Sequence, residues 1–137
     1  MTDSEPAFRA LDFERFLDHP PERVWRALTQ SSLLGEWLMP CDFQAESGKT
    51  FAMEAEWGQV TGTVLAVEPE RLLAYTWNGP GLTSEVTWTL TPQGNGTLLR
   101  LDHTKIPAES KLAYHGAKVG WPRFLEALES VLAKEVN

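Results

Sequence analysis

Apolar residues recur at every second position through most of the middle of this 137-residue chain, as in strands with one buried face. Short turns, including Gly58-Gln59 and Asn95-Gly96, separate neighbouring strands of this series, so we expect an antiparallel sheet. The pattern predicts an opening strand and six later ones, over Phe8–Leu17, Cys41–Glu46, Thr50–Trp57, Val60–Val67, Leu72–Trp77, Leu82–Thr91 and Thr97–Lys105.

Two short amphipathic helices are predicted between the first strand and the later ones, within Asp18–Leu38. The first begins at a proline pair that ends with Pro21, because the first helical turn needs no proline N–H and suits the fixed φ of proline. The second begins at Ser31 or Ser32 and ends before Pro40. The apolar stripe of the first helix is Val24, Trp25 and Leu28.

After Pro107 the apolar period changes from two residues to 3.6, which predicts a C-terminal helix with a wide apolar face. Gly116, Gly120 and Pro122 interrupt the pattern. We therefore expect a kink or a short preliminary helix before Trp121, and a continuous helix from about Pro122 to Lys134. The predicted fold class is α+β, with about seven strands in the order β-α-α-β6-α.

Composition narrows the function classes. A formal charge of −7 disfavours nucleic acid and membrane surfaces as partners, since both are anionic. Cys41 is the only cysteine, which excludes an internal disulfide or a cysteine-based metal cluster. The acidic N-terminus does not resemble a signal peptide, so we expect a cytoplasmic protein with one domain over residues 1–137.

Several short motifs, in order along the chain, resemble a known family. The chain is similar to the START-related (SRPBCC) superfamily of helix-grip proteins. Within it, the chain looks most like bacterial proteins that resemble the C-terminal domain of the activator of the 90-kilodalton heat-shock chaperone's ATPase. The residues that carry this likeness are Pro21–Thr29 (PERVWRALT), Trp37, Gly62, Leu73–Trp77 (LAYTW), Val86–Leu90 (VTWTL), Gly96-Thr97, His103 and Gly120-Trp121.

The resemblance implies an antiparallel sheet that curls around the C-terminal helix, and functions that range from lipid carriage to polyketide cyclisation and co-chaperone activity. From the inward strand positions we expect an apolar, aromatic cavity between sheet and helix that binds a small hydrophobic ligand, without a cofactor. Filling of the same space by side chains is the alternative. The predicted ligand-binding residues are Trp37, Phe51, Met53, Trp57, Tyr75, Trp77, Trp88, His103, Trp121, Phe124 and Leu125.

Catalytic groups are scarce on the inward faces, so the sequence favours a non-enzymatic role. His103 is the best candidate acid or base, with a buried structural histidine as the alternative. Tyr75 is expected to reach a ligand or a backbone carbonyl. His115 could approach His103, but two histidines without a carboxylate do not predict a metal site. Besides a ligand, the partners considered are a chaperone and a second copy of the chain through Phe8 or Phe16.

Overall fold

The computed structural model describes residues 7–56, 58–79 and 82–134. Its strands are β1 (Phe8–Leu17), β2 (Thr50–Ala55), β3 (Gly58–Glu68), β4 (Leu72–Gly79), β5 (Leu82–Gln93) and β6 (Gly96–Pro107). Its helices are α1 (Pro21–Thr29), α2 (Ser31–Trp37) and α3 (Lys111–Lys134). The six strands form one antiparallel sheet in the order β1-β6-β5-β4-β3-β2, and the predicted α+β class is confirmed.

The main core lies between the inner face of the sheet and the three helices. Inward residues of β3 to β6 alternate with more exposed ones, as their period-two pattern predicts. From α3, Trp121, Leu125, Leu128, Val131 and Leu132 complete the same buried cluster. Arg23 of α1 binds the C-terminal end of α3, because its guanidinium donates to the carbonyl of Leu132 at 3.2 Å.

A bulge in β6 keeps its inward face in phase with the core. Thr104 and Lys105 together lie opposite Ala10 of β1, and Lys105 adopts a left-handed φ of 60°. The extra residue resets the alternation, so that His103 and Ile106, three positions apart, are both buried. The bulge thus holds His103 on the inner face near the end of the strand.

The predicted seventh strand is wrong. Cys41 makes only an isolated bridge to Met53, and residues 42–46 form no strand. Side chains satisfy this backbone and its neighbours: Ser31 donates to the carbonyl of Phe43 at 2.9 Å, and Asp42 accepts from the N–H of Ala52 at 2.8 Å. The segment buries alternate side chains against the sheet without joining its ladder, which explains the misleading sequence pattern.

Two predicted turns and one helix boundary are also corrected. Gly58 pairs with Ala55 inside the β2–β3 ladder, and Gly96 pairs with Gln93, so each predicted turn lies one or two residues too late. The expected preliminary helix before Trp121 is not separate, because α3 is one helix with Pro122 inside it. Proline leaves the carbonyl four residues earlier without its helical donor, and that residue, Lys118, is exposed to water.

Candidate functional site

The buried aromatic residues form two neighbouring groups. Phe43, Phe51 and Tyr75 pack edge to face at the β2–β3 side, with ring centroids 5.2 to 5.6 Å apart. The second group lies under α3. There the ring centroid of Trp88 is 5.7 Å from that of Trp121 and 5.8 Å from that of Trp37. The first group is closed packing, whereas the second borders open space.

Tyr75 and Trp88 join the two groups through a buried hydrogen bond. The indole N–H of Trp88 donates to the hydroxyl of Tyr75 at 2.9 Å. Burial raises the pKa of Tyr75, so the phenol stays neutral. The structure gives this hydroxyl a side-chain donor that the sequence did not indicate, and its own O–H contact with a ligand or a carbonyl stays a prediction.

A chain of hydrogen bonds runs through His103. The indole of Trp121 can only donate, so its N–H binds Nδ1 of His103 at 3.0 Å. Nε2 therefore carries the proton and faces the Ser84 hydroxyl at 2.8 Å, and Ser84 donates in turn to the carbonyl of Trp77 at 2.8 Å. Both ring nitrogens of His103 therefore have partners in this hydrogen-bond chain, which fixes the tautomer and orientation of the imidazole.

The surroundings of His103 keep it neutral. Its side chain is 1% exposed, and desolvation lowers its pKa from 6.5 to about 4. A neutral histidine with both nitrogens engaged inside the protein is a poor acid or base. This geometry agrees with the structural alternative that the sequence left open for His103.

A cavity of about 430 Å³ lies between the first half of α3 and the ends of β4 and β5. Its sheet side is formed by Trp77, Gly79, Leu82 and His103. Its helix side carries mostly small residues, with two aromatic rings at the inner end. The helix residues that border it are Leu112, Ala113, Gly116, Ala117, Gly120, Trp121 and Phe124.

The predicted ligand-binding residues divide according to this cavity. Four of them border it: Trp77, His103, Trp121 and Phe124. The others that the structure describes are packed in the core away from it, and their assignment to a ligand stays a prediction: Trp37, Phe51, Met53, Tyr75, Trp88 and Leu125. Trp57 lies outside the described residues.

Sequence reasoning missed the small residues that make room for the cavity. Ala113, Gly116, Ala117 and Gly120 follow one another at helical spacing along the side of α3 that borders it. In the sequence, the two glycines indicated a helix interruption. Their spacing of four residues, which places them on one face of a helix, was the available signal.

Other candidate groups lie apart from the cavity. His115 is exposed and does not border it. Among residues 7–56, 58–79 and 82–134, no group of three or more His, Cys, Asp or Glu could hold a metal ion. Cys41 is half-buried, and its burial raises the pKa of the thiol, which makes it a weak nucleophile.

Comparison with known proteins identifies the family. Residues 18–133 match the family described as Activator of Hsp90 ATPase homolog 1-like protein. The chain belongs to this family. The match begins just before α1 and extends nearly to the end of α3, so it includes the whole cavity.

Solved structures of similar proteins share the fold of this Activator of Hsp90 ATPase homolog 1-like chain. Protein MLL2253 from Mesorhizobium loti is 46% identical, with a TM-score of 0.89 over 94% of this chain and 100% of that one. CalU16 from Micromonospora echinospora is 30% identical, with a TM-score of 0.79 over 97% and 83% of the two chains. NE0264 from Nitrosomonas europaea is 26% identical, with a TM-score of 0.78 over 93% and 96%.

The family assignment places the chain in the START-like superfamily, as its motifs predict. That fold is consistent with ligand-binding and with cyclase-like proteins. No curated protein matches the sequence significantly. Within the part of the chain that the structure describes, no helix combines the length and the apolarity needed to cross a membrane.

Proposed function

We propose that this protein binds a small hydrophobic or aromatic molecule in the cavity between α3 and the β4–β5 end of the sheet. The observation that carries the proposal is a cavity of about 430 Å³ beside the rings of Trp77, Trp121 and Phe124. Small-molecule sites typically have volumes of roughly 300 to 1,000 Å³, mostly apolar walls and few polar groups. This cavity agrees with each of those properties.

The helix wall supports the proposal because it leaves space where larger side chains would stabilise the fold. Glycine inside a helix costs about 1 kcal/mol relative to alanine. A Cβ at Gly116 would meet nothing within 4 Å, so no neighbouring atom requires glycine there. Filling the space with apolar side chains would bury more surface. A ligand that occupies the space supplies a reason for the small residues.

The first experiment identifies what the protein carries. The purified protein is analysed by native mass spectrometry, and its organic extract by chromatography with mass detection. We expect an apolar compound in stoichiometric amount, or binding of an added aromatic probe such as 2-acetylnaphthalene by calorimetry. A protein that carries no compound and binds no such probe would contradict the proposal.

A cavity-filling variant locates the binding. Ala117 borders the cavity, and Ala117→Phe places a ring in it, so we expect at least a tenfold loss of affinity for 2-acetylnaphthalene. The matched control is Val119→Phe, which adds a ring at a 44% exposed position of the same helix that does not border the cavity. Equal affinities of both variants would mean that the probe binds elsewhere.

A second candidate function is stimulation of the ATPase of the 90-kilodalton heat-shock chaperone. The match over residues 18–133 to a family with that name supports it. The test is the rate of ATP hydrolysis by the purified chaperone during titration with this protein. A saturable increase supports this candidate, and an unchanged rate contradicts it.

The third candidate, a cyclase or hydrolase that uses His103 or Tyr75, has less support. Both imidazole nitrogens of His103 are engaged by Trp121 and Ser84. The Tyr75 hydroxyl is buried and accepts the N–H of Trp88. His103 thus has no free nitrogen to offer a substrate, and Tyr75 is not among the residues that border the cavity. These contacts favour binding over acid–base chemistry.

A further inference from the structure

The cavity wall carries few hydrogen-bonding side-chain atoms. Among the bordering residues that the structure describes, only Trp77, His103 and Trp121 have polar side-chain atoms, and none is charged. Two of these three residues, His103 and Trp121, are hydrogen-bonded to each other. The imidazole accepts from Trp121 and binds Ser84, which leaves neither His103 nor the Trp121 N–H available to a ligand.

Trp77 differs from the other buried tryptophans. The indole N–H groups of Trp37, Trp88 and Trp121 each have an acceptor: the carbonyl of Ala27, the Tyr75 hydroxyl and Nδ1 of His103. The N–H of Trp77 has none among residues 7–56, 58–79 and 82–134, and it is not one of the enclosed unpaired atoms of those residues, which are Arg23 Nε and Asn78 Oδ1. An indole N–H that is neither enclosed nor paired is available to a ligand, and this one belongs to a residue of the cavity wall.

The position of the Trp77 ring is well defined. Its centroid lies 5.1 Å from that of Trp121 and 6.1 Å from that of His103. Its backbone carbonyl accepts the Ser84 hydroxyl at 2.8 Å. The hydrogen-bond chain that engages His103 and Trp121 therefore also fixes the backbone of Trp77, which among the described bordering residues keeps an unpaired side-chain donor.

We propose that the cavity selects a neutral aromatic compound with a hydrogen-bond-acceptor oxygen, which accepts the indole N–H of Trp77. This inference rests on the proposed function and narrows its ligand class. Aromatic rings of the ligand pack against Trp77, Trp121 and Phe124, which border the same space. A charged ligand is disfavoured because none of the described side chains that border the cavity is charged, and burying an unpaired charge is costly.

Three probes of nearly the same shape test the inference. 2-Acetylnaphthalene carries an acceptor oxygen, 2-isopropylnaphthalene replaces the carbonyl with a hydrocarbon branch, and 1-(2-naphthyl)ethylamine carries a positive charge at neutral pH. Their affinities for the wild-type protein and for variants are measured by calorimetry. We expect the amine to bind at least tenfold more weakly than the ketone.

Trp77→Phe retains an apolar ring and removes the N–H. We expect this variant to lose about fivefold in affinity for the ketone and less than twofold for the hydrocarbon, since one hydrogen bond is lost in the first complex only. The matched control is Trp25→Phe, the same change at a partly buried residue away from the cavity. It should leave both affinities within twofold of the wild type.

Two results would overturn the inference and leave the proposed function standing. One is an equal loss for ketone and hydrocarbon in Trp77→Phe, which would show that water rather than ligand satisfies the N–H. The other is binding of the amine as tightly as the ketone. If the wild-type protein binds none of the three probes, this inference fails, and if it also carries no compound after purification, the proposed function fails with it.

Discussion

Trp121 donates its indole N–H to Nδ1 of His103 at 3.0 Å, and this single contact decides the protonation of the imidazole. Because Nδ1 is the acceptor, the proton lies on Nε2 and is directed to Ser84. A second proton on His103 would lie on Nδ1, facing the N–H of Trp121, and the hydrogen bond between the two residues would be lost. The contact therefore links α3 to β6 only while His103 is neutral.

Acid is expected to destabilise the fold through His103. Its pKa is about 4 in the folded protein and about 6.5 when unfolded, so the unfolded chain binds this proton more tightly. The stability from neutral His103 is present above pH 6.5, is lost as the pH falls to about 4, and amounts to about 3 kcal/mol. Urea unfolding at pH 7.5, 5.5 and 4.5 measures the loss.

The control for this pH dependence is His103→Gln, which cannot titrate. Carboxylates elsewhere contribute equally to both proteins, so the informative quantity is the difference between their free energies of unfolding at each pH. That difference should shrink as the pH falls. A difference that stays constant from pH 7.5 to 4.5 would mean that His103 is not held neutral by burial.

Ser84→Ala is expected to destabilise the protein by about 2 kcal/mol. The substitution leaves the His103 Nε2–H without its acceptor and the carbonyl of Trp77 without its donor, both in a buried site. Thr83→Ala, at the exposed neighbouring position of β5, is the control and should change stability by less than about 0.5 kcal/mol. Denaturant midpoints that fall equally in both variants would argue against the hydrogen-bond chain.

The strands could be predicted because burial on one face of a sheet has a period of two residues. Leu99, Leu101 and His103 follow this period and are all buried. The same rule wrongly predicts a strand over residues 42–46. This segment buries Phe43, but its backbone hydrogen-bonds to a side chain instead of a neighbouring strand. Alternation reports which side chains are buried, not whether the backbone joins a ladder.

The hydrogen-bond chain and the cavity could not be predicted in the same way. Ser84 and His103 are 19 residues apart, and their contact depends on the β5–β6 register, which pairs Val86 with His103. The cavity depends on volume that is missing between layers. Gly116 and Gly120 indicate that missing volume only once α3 is known to be continuous through them.

Gly62→Ala is expected to destabilise the protein by about 3 kcal/mol. The Phe51 ring lies over Gly62, and an added Cβ would approach the carbonyl oxygen of Thr76 to 2.1 Å and Cζ of Phe51 to 2.5 Å. Gly79→Ala is the matched control, since a Cβ there meets nothing within 4 Å. Thermal unfolding should show a clear fall for the first variant only, and a fall of similar size in both would contradict this account.

Gly116→Ala is expected to stabilise the protein by about 1 kcal/mol. Alanine is a better helix former by that amount, and the added methyl group meets no atom within 4 Å, so no clash offsets the gain. Urea unfolding of the ligand-free protein measures it. Exposed Lys118→Ala, which changes little in helix propensity, serves as the control on the same helix. An unchanged or lower stability of Gly116→Ala would show that the backbone there needs glycine, and would remove the argument that the residue is kept small to leave space in the cavity.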